Sequence, residues 1–249
     1  MTERFKVSAL KAFGYKSAVG SNPTSSFLIE GNMEAFIKAP RTSHLPWSPG
    51  KTTDDRILKD LSCLEGKEIV VTIKMDGENT SLYRQGLHAR SLEYTSRKDR
   101  ERIKALHAEI AHDIPEGWRV CGENVWAVHS IEYKDLESFF YVFGVWNEHN
   151  ICLSWNETEE WAQLLGLKTV PVLYKGAWKP DLHNLLVKNH IENGTLRFED
   201  NEMEGYVVRV AGEFPYSVFR THVAKYVREG HVKTQAHWTR SIRPNNLRK

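Results

Sequence analysis

The sequence predicts an α+β fold: one domain of mainly antiparallel sheets flanked by helices. Seven short runs rich in Val, Ile, Tyr and Phe, bounded by turn residues, read as strands. Three stretches carry helical periodicity or helix-end signals. No linker or low-complexity tract divides the chain, and no internal repeat is visible.

In chain order, Pro40-Arg41-Thr42-Ser43-His44-Leu45-Pro46-Trp47-Ser48-Pro49-Gly50 is a loop, because its prolines and glycine break any period. Strands are expected at about 67–74 and 79–84. A helix over 99–112 puts Ile103, Leu106 and Ile110 on one face. Strands follow at about 118–125, 139–146 and 150–154, then a helix at 157–165. A helix at 181–193 starts at Asp181, a favoured capping residue, and stops at Gly194. The last strands fall at 205–210 and 217–226. The expected domain spans 1–249, with an N-terminal segment to 65, a central region over 66–233 and a basic tail over 234–249.

A chain of 249 residues can bury a sizeable core. No apolar run reaches the length of a membrane span. Met1-Thr2-Glu3-Arg4-Phe5-Lys6 leads into no signal-peptide stretch. Cys63, Cys121 and Cys152 have neither disulfide-framework nor CxxC spacing. A cytoplasmic monomer with no membrane association is the expectation. The formal net charge is only +2, but from Arg220 to Lys249 there are eight basic residues and one acidic residue, Glu229. A basic tail that also carries Trp238 suits a polyanion, and equally suits a solvated surface.

Two motif fragments fail. Gly50-Lys51-Thr52 resembles the end of a phosphate-binding loop, but Leu45 stands where the pattern needs its first glycine. His107 and His112 are five residues apart, so they do not share a helix face as zinc ligands would.

The constellation that survives starts at Lys74-Met75-Asp76-Gly77, where an apolar strand ends on a lysine. Partial burial at such a place lowers a lysine pKa and frees the amine as a nucleophile. Gly77 permits a tight turn that brings backbone close to a phosphate or sugar. Cys121-Gly122-Glu123-Asn124 sets a carboxylate in or just after a strand, and Phe140–Trp146 is an aromatic strand. Glu204-Gly205-Tyr206-Val207-Val208-Arg209 puts a carboxylate at the mouth of an apolar strand, and Ala224-Lys225-Tyr226-Val227-Arg228 ends another with two cations. Each fragment alone also fits a solvated strand end or core aromatics.

The order and spacing of these motifs resemble the covalent nucleotidyltransferases, the superfamily of ATP-dependent ligases and mRNA capping enzymes. Within it they are most similar to the RNA ligase 2 family of phage T4 type, over residues 67 to 233. Pro40–Pro46, His237-Trp238 and Arg243-Pro244-Asn245 resemble a bacterial and phage branch of such ligases. The resemblance implies a single adenylyltransferase domain. It would use ATP with Mg2+ or Mn2+ to join 3′-hydroxyl and 5′-phosphate RNA ends through lysyl-AMP and adenylylated RNA.

Carried over by position, Lys74 takes AMP as a phosphoramide, and Asn79 helps the later RNA-dependent steps. Arg90 lies near the nucleotide sugar and the 5′-phosphate. Glu123 holds the ribose hydroxyls and Phe143 stacks on adenine. Glu204 organises the metal and the reacting groups, and Lys225 meets the α-phosphate. Many relatives carry a second lysine two residues from this last one. Here Val223 and Val227 stand at that spacing, and Arg228 is the candidate for the second charge. The tail and the cluster Arg97, Lys98, Arg100, Arg102 and Lys104 are the expected contacts to the RNA backbone.

Two alternatives stay open. One is a minimal ATP-dependent DNA ligase or another covalent nucleotidyltransferase, such as a capping guanylyltransferase. The other is a non-catalytic RNA-binding protein on a ligase scaffold. The 24 residues after Lys225 are too few for the OB-fold those first enzymes append, which needs on the order of 70 residues. Lys74, Glu123, Glu204 and Lys225 together argue against binding alone.

Overall fold

The apolar run Ile69–Ile73 becomes an interior strand of a sheet, which is why Ile69, Val70 and Val71 are fully buried. The computed structural model describes residues 36–92, 100–192, 195–198, 201–230 and 242–248. All belong to the compact unit Phe36–Lys249. The N-terminal segment to residue 35, Arg97, Lys98, His237, Trp238, Arg240 and Lys249 lie outside the described residues, as does the Gly194 helix stop.

The first strands in chain order are β1 (Ser43–His44), β2 (Glu68–Lys74), β3 (Glu78–Tyr83), β4 (Gly86–Ala89) and β5 (Arg119–Asn124). Next come β6 (Phe140–Trp146), β7 (Ile151–Cys152), β8 (Lys168–Thr169), β9 (Val172–Ala177) and β10 (Ile191–Glu192). The last are β11 (Thr195–Phe198), β12 (Asn201–Glu202), β13 (Gly205–Val210), β14 (Phe214–Pro215) and β15 (Val223–Val227). One sheet runs β1-β15-β13-β2-β9. A second runs β14-β7-β6-β5-β3-β4 with β8 beside β6, and β10-β11-β12 form a small third. Pairing is antiparallel except at β1–β15 and β6–β8. No closed barrel occurs among the described residues. No helix among them is long and apolar enough to cross a membrane.

The helices are α1 (Glu101–Ile110), α2 (Trp155–Leu164), α3 (Leu182–His190) and the short α4 (Phe219–His222). Helix α1 buries Ile103 and Ile110, two of the residues its periodicity aligned. Ser154 caps α2 through a reciprocal capping box with Glu157. The expected strand at 150–154 therefore stops at Cys152, because Ser154 is committed to the helix. The expected strand over 217–226 begins only at Val223. Before it, Tyr216–Val218 form a 3-10 turn and α4 follows. That turn brings Phe219 to 6.2 Å from Trp146 and 6.3 Å from Phe214.

One buried apolar cluster joins both large sheets, with Val70, Val71 and Val208 from the first and Cys121, Tyr141 and Trp146 from the second. Strand β9, which sequence periodicity missed, pairs along β2 and makes it interior.

Candidate functional site

Between the two large sheets lies a cleft of about 710 Å³. Lys74, Asn79, Arg90, Glu123, Phe143 and Lys225 all line it. Glu204 joins them through Lys74. Lys74 Nζ donates a 2.6 Å hydrogen bond to Glu204 Oε2 across the rung where Lys74 pairs with Gly205. Residue 205 has to be glycine, since a Cβ there would overlap the Tyr226 carbonyl of β15. The Lys74 side chain is 24% exposed and that of Glu204 9%.

Burial alone would lower the Lys74 pKa, as the sequence suggested. The charges of Glu204 and Glu123, with the hydrogen bond to Glu204, outweigh it and hold the ammonium above the ordinary lysine range. The expectation of a depressed Lys74 is thus overturned in the free protein, because the Glu204 carboxylate bonded to it leads the charges that outweigh burial. Glu123, on β5, shows the complementary effect. Burial, helped by repulsion from Glu204 and Asp76 and opposed by Lys74, pushes its carboxyl up to about 8.

Lys225 lies on β15, paired with Val207. Burial, then the charge of Lys74, lowers its pKa, while Asp55 and Glu204 oppose. Its ammonium makes no hydrogen bond or ion pair to the described residues, and nor does the Arg90 guanidinium at the end of β4. Two cations at the wall of a cleft, with no anion of the protein committed to either, suit a phosphate-bearing ligand. Phe143 and Val207 line the cleft from opposite sheets and offer apolar faces to a flat ring. Asn79 pairs with Glu123 across β3 and β5 and has a buried Oδ1 with no hydrogen-bond partner.

Asp76 and Gly77 have roles the sequence did not indicate. Asp76 Oδ2 accepts hydrogen bonds from the backbone N–H of Ser130 (2.7 Å) and Ile131 (2.8 Å), and its own N–H donates to Tyr133 Oη. Asp76 thus ties the loop after β5 to the strand that carries Lys74. Gly77 is required by close packing: a Cβ there would stand 2.5 Å from the Asn124 carbonyl oxygen.

Several expected RNA contacts are otherwise engaged. Arg228 does not line the cleft; it bonds Glu202 Oε2 (3.0 Å) and the Met203 carbonyl (2.9 Å). Arg100 forms a buried bidentate pair with Glu78. Of the tail, Arg243 pairs with Glu132, and Arg248 with Asp135 and Glu137. Asn245 is buried. Its Oδ1 accepts from Tyr133 N–H, and its Nδ2 donates to the carbonyls of Val125 and Ala127. The described part of the tail is a strap over the loop that Asp76 holds.

The loop before β2 is a second strap. Ser48, His44 and Asp55 have the residue types of a hydrolytic triad, but Ser48 Oγ is fully buried and bonded to both the N–H and the carbonyl of Val227. The group clamps β15. Lys51 Nζ donates to the Pro46 carbonyl, and His107 is bonded to the Tyr83 carbonyl, so neither rejected motif is assembled.

The cleft also runs inward. Glu123 pairs with Tyr141 near one end of the β5–β6 ladder, and Arg119 pairs with Trp146 at the other. Arg119 and Arg209 line this inner end, 2% and 4% exposed. Arg119 lies 4.5 Å over the Trp146 ring and bonds Asn150 Oδ1. Arg209 donates to the carbonyls of Val210, Phe143 and Leu153 and lies near the rings of Trp155 and Phe214. Neither meets a carboxylate among the described residues. A ring contact returns about 0.5–2 kcal/mol, whereas desolvating an ion costs on the order of several kcal/mol.

The fold agrees with what comparison finds. A family model described as RNA ligase matches residues 67–227, and the chain belongs to the RNA ligase family. A comparison with curated proteins gives no match. Among solved structures, the chain is similar to Naegleria gruberi RNA ligase with PPi, at a TM-score of 0.53 and 15% identity, over 91% of this chain and 66% of that one. It is also similar to an apo mutant of that ligase, at 0.49 and 16%, over 70% of this chain and 53% of that one. The chain spans about half the length of this last structure. At such identity the likeness to the PPi structure is one of fold.

Proposed function

We propose that the protein is an ATP-dependent RNA ligase that joins 3′-hydroxyl and 5′-phosphate RNA ends through lysyl-AMP and adenylylated-RNA intermediates, and serves RNA repair. The observation that carries this reading is the Lys74–Glu204 pair at the wall of a cleft that also presents Glu123, Phe143 and the two uncommitted cations Arg90 and Lys225. Family membership supports it. In this reading Phe143 and Val207 sandwich the adenine, and Glu123 bonds the ribose hydroxyls. Arg90 and Lys225 receive the phosphates, and Asn79 meets the RNA end.

Lys74 Nζ must shed its proton, to water in the open cleft, before it attacks the α-phosphorus, and gives up its tie to Glu204 Oε2 as it does so. The P–N bond forms as the bond to pyrophosphate breaks. AMP then passes to the 5′-phosphate, and the 3′-hydroxyl displaces it. No group of three or more His, Cys, Asp or Glu side chains spaced for a metal occurs among the described residues. Glu204 is then the carboxylate that would hold Mg2+ or Mn2+, with nucleotide phosphates and water completing the shell. Such an ion neutralises phosphate charge and orients the leaving group. Positioning by the rigid sheets supplies the rest.

The test is incubation with α-labelled ATP and a divalent metal, followed by peptide mapping. Label on Lys74, then transfer to a 5′-phosphorylated RNA with joining to a 3′-hydroxyl RNA end, supports the reading. Label without joining of RNA but with joining of DNA moves the assignment to a minimal DNA ligase. No label on metal-loaded protein leaves a binding protein on a ligase scaffold.

A further inference from the structure

We propose that the inner end of the cleft is a binding site for a small oxyanion of the phosphate class, distinct from the nucleotide-phosphate position at Lys225 and Arg90. Two guanidiniums, Arg119 and Arg209, are almost wholly buried there with no carboxylate partner among the described residues. Buried charges in folded proteins are ordinarily paired. Two further facts point to a ligand. Arg119 Nη1 and Trp155 Nε1 are buried, belong to residues that line this cleft, and have no hydrogen-bond partner. Both are donors, and so are all the polar side-chain atoms of Arg209. Arg119 Nη2 reaches the Asn150 amide oxygen and Arg209 reaches backbone carbonyls, all neutral acceptors, and the nearby lining residues Cys121, Cys152, Phe214 and Phe219 bring thiols and apolar groups but no carboxylate.

A cationic or donor-rich ligand would meet donors and positive charge here, and water would leave both positive charges unbalanced. A multiply charged oxyanion, whose oxygens are mostly acceptors, satisfies the free N–H groups and balances both guanidiniums, whose planar forks match oxyanion geometry. The nucleotide-phosphate cations lie elsewhere, Lys225 on β15 and Arg90 after β4. Free orthophosphate and pyrophosphate present the same chemistry, so they form separate arms of the test.

Thermal unfolding of the full chain is followed at fixed ionic strength in a chloride buffer, without nucleotide or metal, against rising orthophosphate or pyrophosphate. The expected result is a saturable rise in Tm that persists in Lys225→Ala. In Arg119→Gln the apparent Kd weakens at least about tenfold, the loss of one charge-assisted contact. Trp155→Phe keeps a six-membered aromatic ring at this buried place and removes the Nε1 donor together with the five-membered half of the indole. It should weaken binding several-fold, and it keeps the test open if Arg119→Gln fails to fold. Line broadening of the 31P signal gives a second measure of the same binding. If only pyrophosphate shows the Arg119 and Trp155 dependence, pyrophosphate is the occupant and the site stands. Stabilisation lost in Lys225→Ala but retained in both inner-end variants places the anion with the nucleotide phosphates and overturns the proposal. No saturable effect of either anion on the wild type overturns it too.

Discussion

Replacing Glu204 by Gln should make Lys74 more reactive toward a simple acylating reagent while abolishing lysyl-AMP formation. The side chain keeps its size and an acceptor oxygen but loses its charge. In the free protein the ammonium is held above the ordinary lysine range against burial, and Glu204 contributes both the leading opposing charge and a 2.6 Å hydrogen bond. A hydrogen bond to a charged partner is worth about 1.5–3 kcal/mol. Because Lys74 is 24% exposed, the lower part of that range, about 1.5–2 kcal/mol, is the better figure. It corresponds to a roughly 10- to 30-fold larger fraction of free amine. The assay is competitive acetylation at pH 8 with mass-spectrometric quantification of the Lys74 peptide, normalised to exposed lysines of the same protein. An unchanged Lys74 rate in Glu204→Gln would refute the claim that Glu204 restrains the nucleophile. Retained lysyl-AMP formation would refute its place in the chemistry.

Glu123→Gln should stabilise the fold at pH 8 and progressively less as the pH falls to 4.5. A carboxyl raised from 4.5 to about 8 in the folded state costs stability as pH rises through that window, by on the order of a few kcal/mol at its top. Paired thermal melts across that range check the sign. Phe143→Ala should weaken ATP use by about 5- to 150-fold, the loss of one stacking contact of roughly 1–3 kcal/mol. Phe143→Leu should recover part of it, read as the KM for ATP in self-adenylylation. Asn245→Ala strands the buried Tyr133 N–H, at about 1–3 kcal/mol. It should lower Tm and reduce adenylylation and RNA joining alike, whereas Arg248→Ala, whose ion pairs are solvent-exposed, should change either little.

The sequence is informative where a motif is contiguous and poor where a contact is distant. Lys74, Glu123, Glu204 and Lys225 each end or border an apolar run, so their strands could be read with them, whereas Phe143, inside an aromatic run, was marked only by the family resemblance. The partners of Asp76 lie 54 and 55 residues away, and nothing in Lys-Met-Asp-Gly indicates that its carboxylate holds a loop. The tail was expected to be free charge because Glu132, Asp135 and Glu137 lie more than a hundred residues before Arg243 and Arg248. The inner arginines have a different obstacle. Strict alternation assigns a face to every residue of a strand, but a register shift between Cys121 and Gly122 breaks that count on β5. The one available signal was Arg209, a charge set inside the apolar run of β13.

If Lys74 is the nucleophile proposed above, the charges of the cleft keep it unreactive in the free protein. With no ligand, Lys74 is tied to Glu204, and the raised pKa of Glu123 keeps a second carboxyl largely neutral at physiological pH. Lys225 and Arg90 remain without anions of their own among the described residues. On the function proposed above, a bound triphosphate would change the balance at every one of these groups. It would supply the charge that Lys225 and Arg90 lack, and its sugar hydroxyls would meet a Glu123 able to donate. Were Glu204 to hold the nucleotide's divalent ion, the anion that keeps Lys74 protonated would be withdrawn. By linkage, whatever draws Glu204 away from Lys74 also lowers the cost of deprotonating the amine. On that reading, reactivity would be coupled to occupancy through the same 2.6 Å contact that holds the ammonium in the free protein.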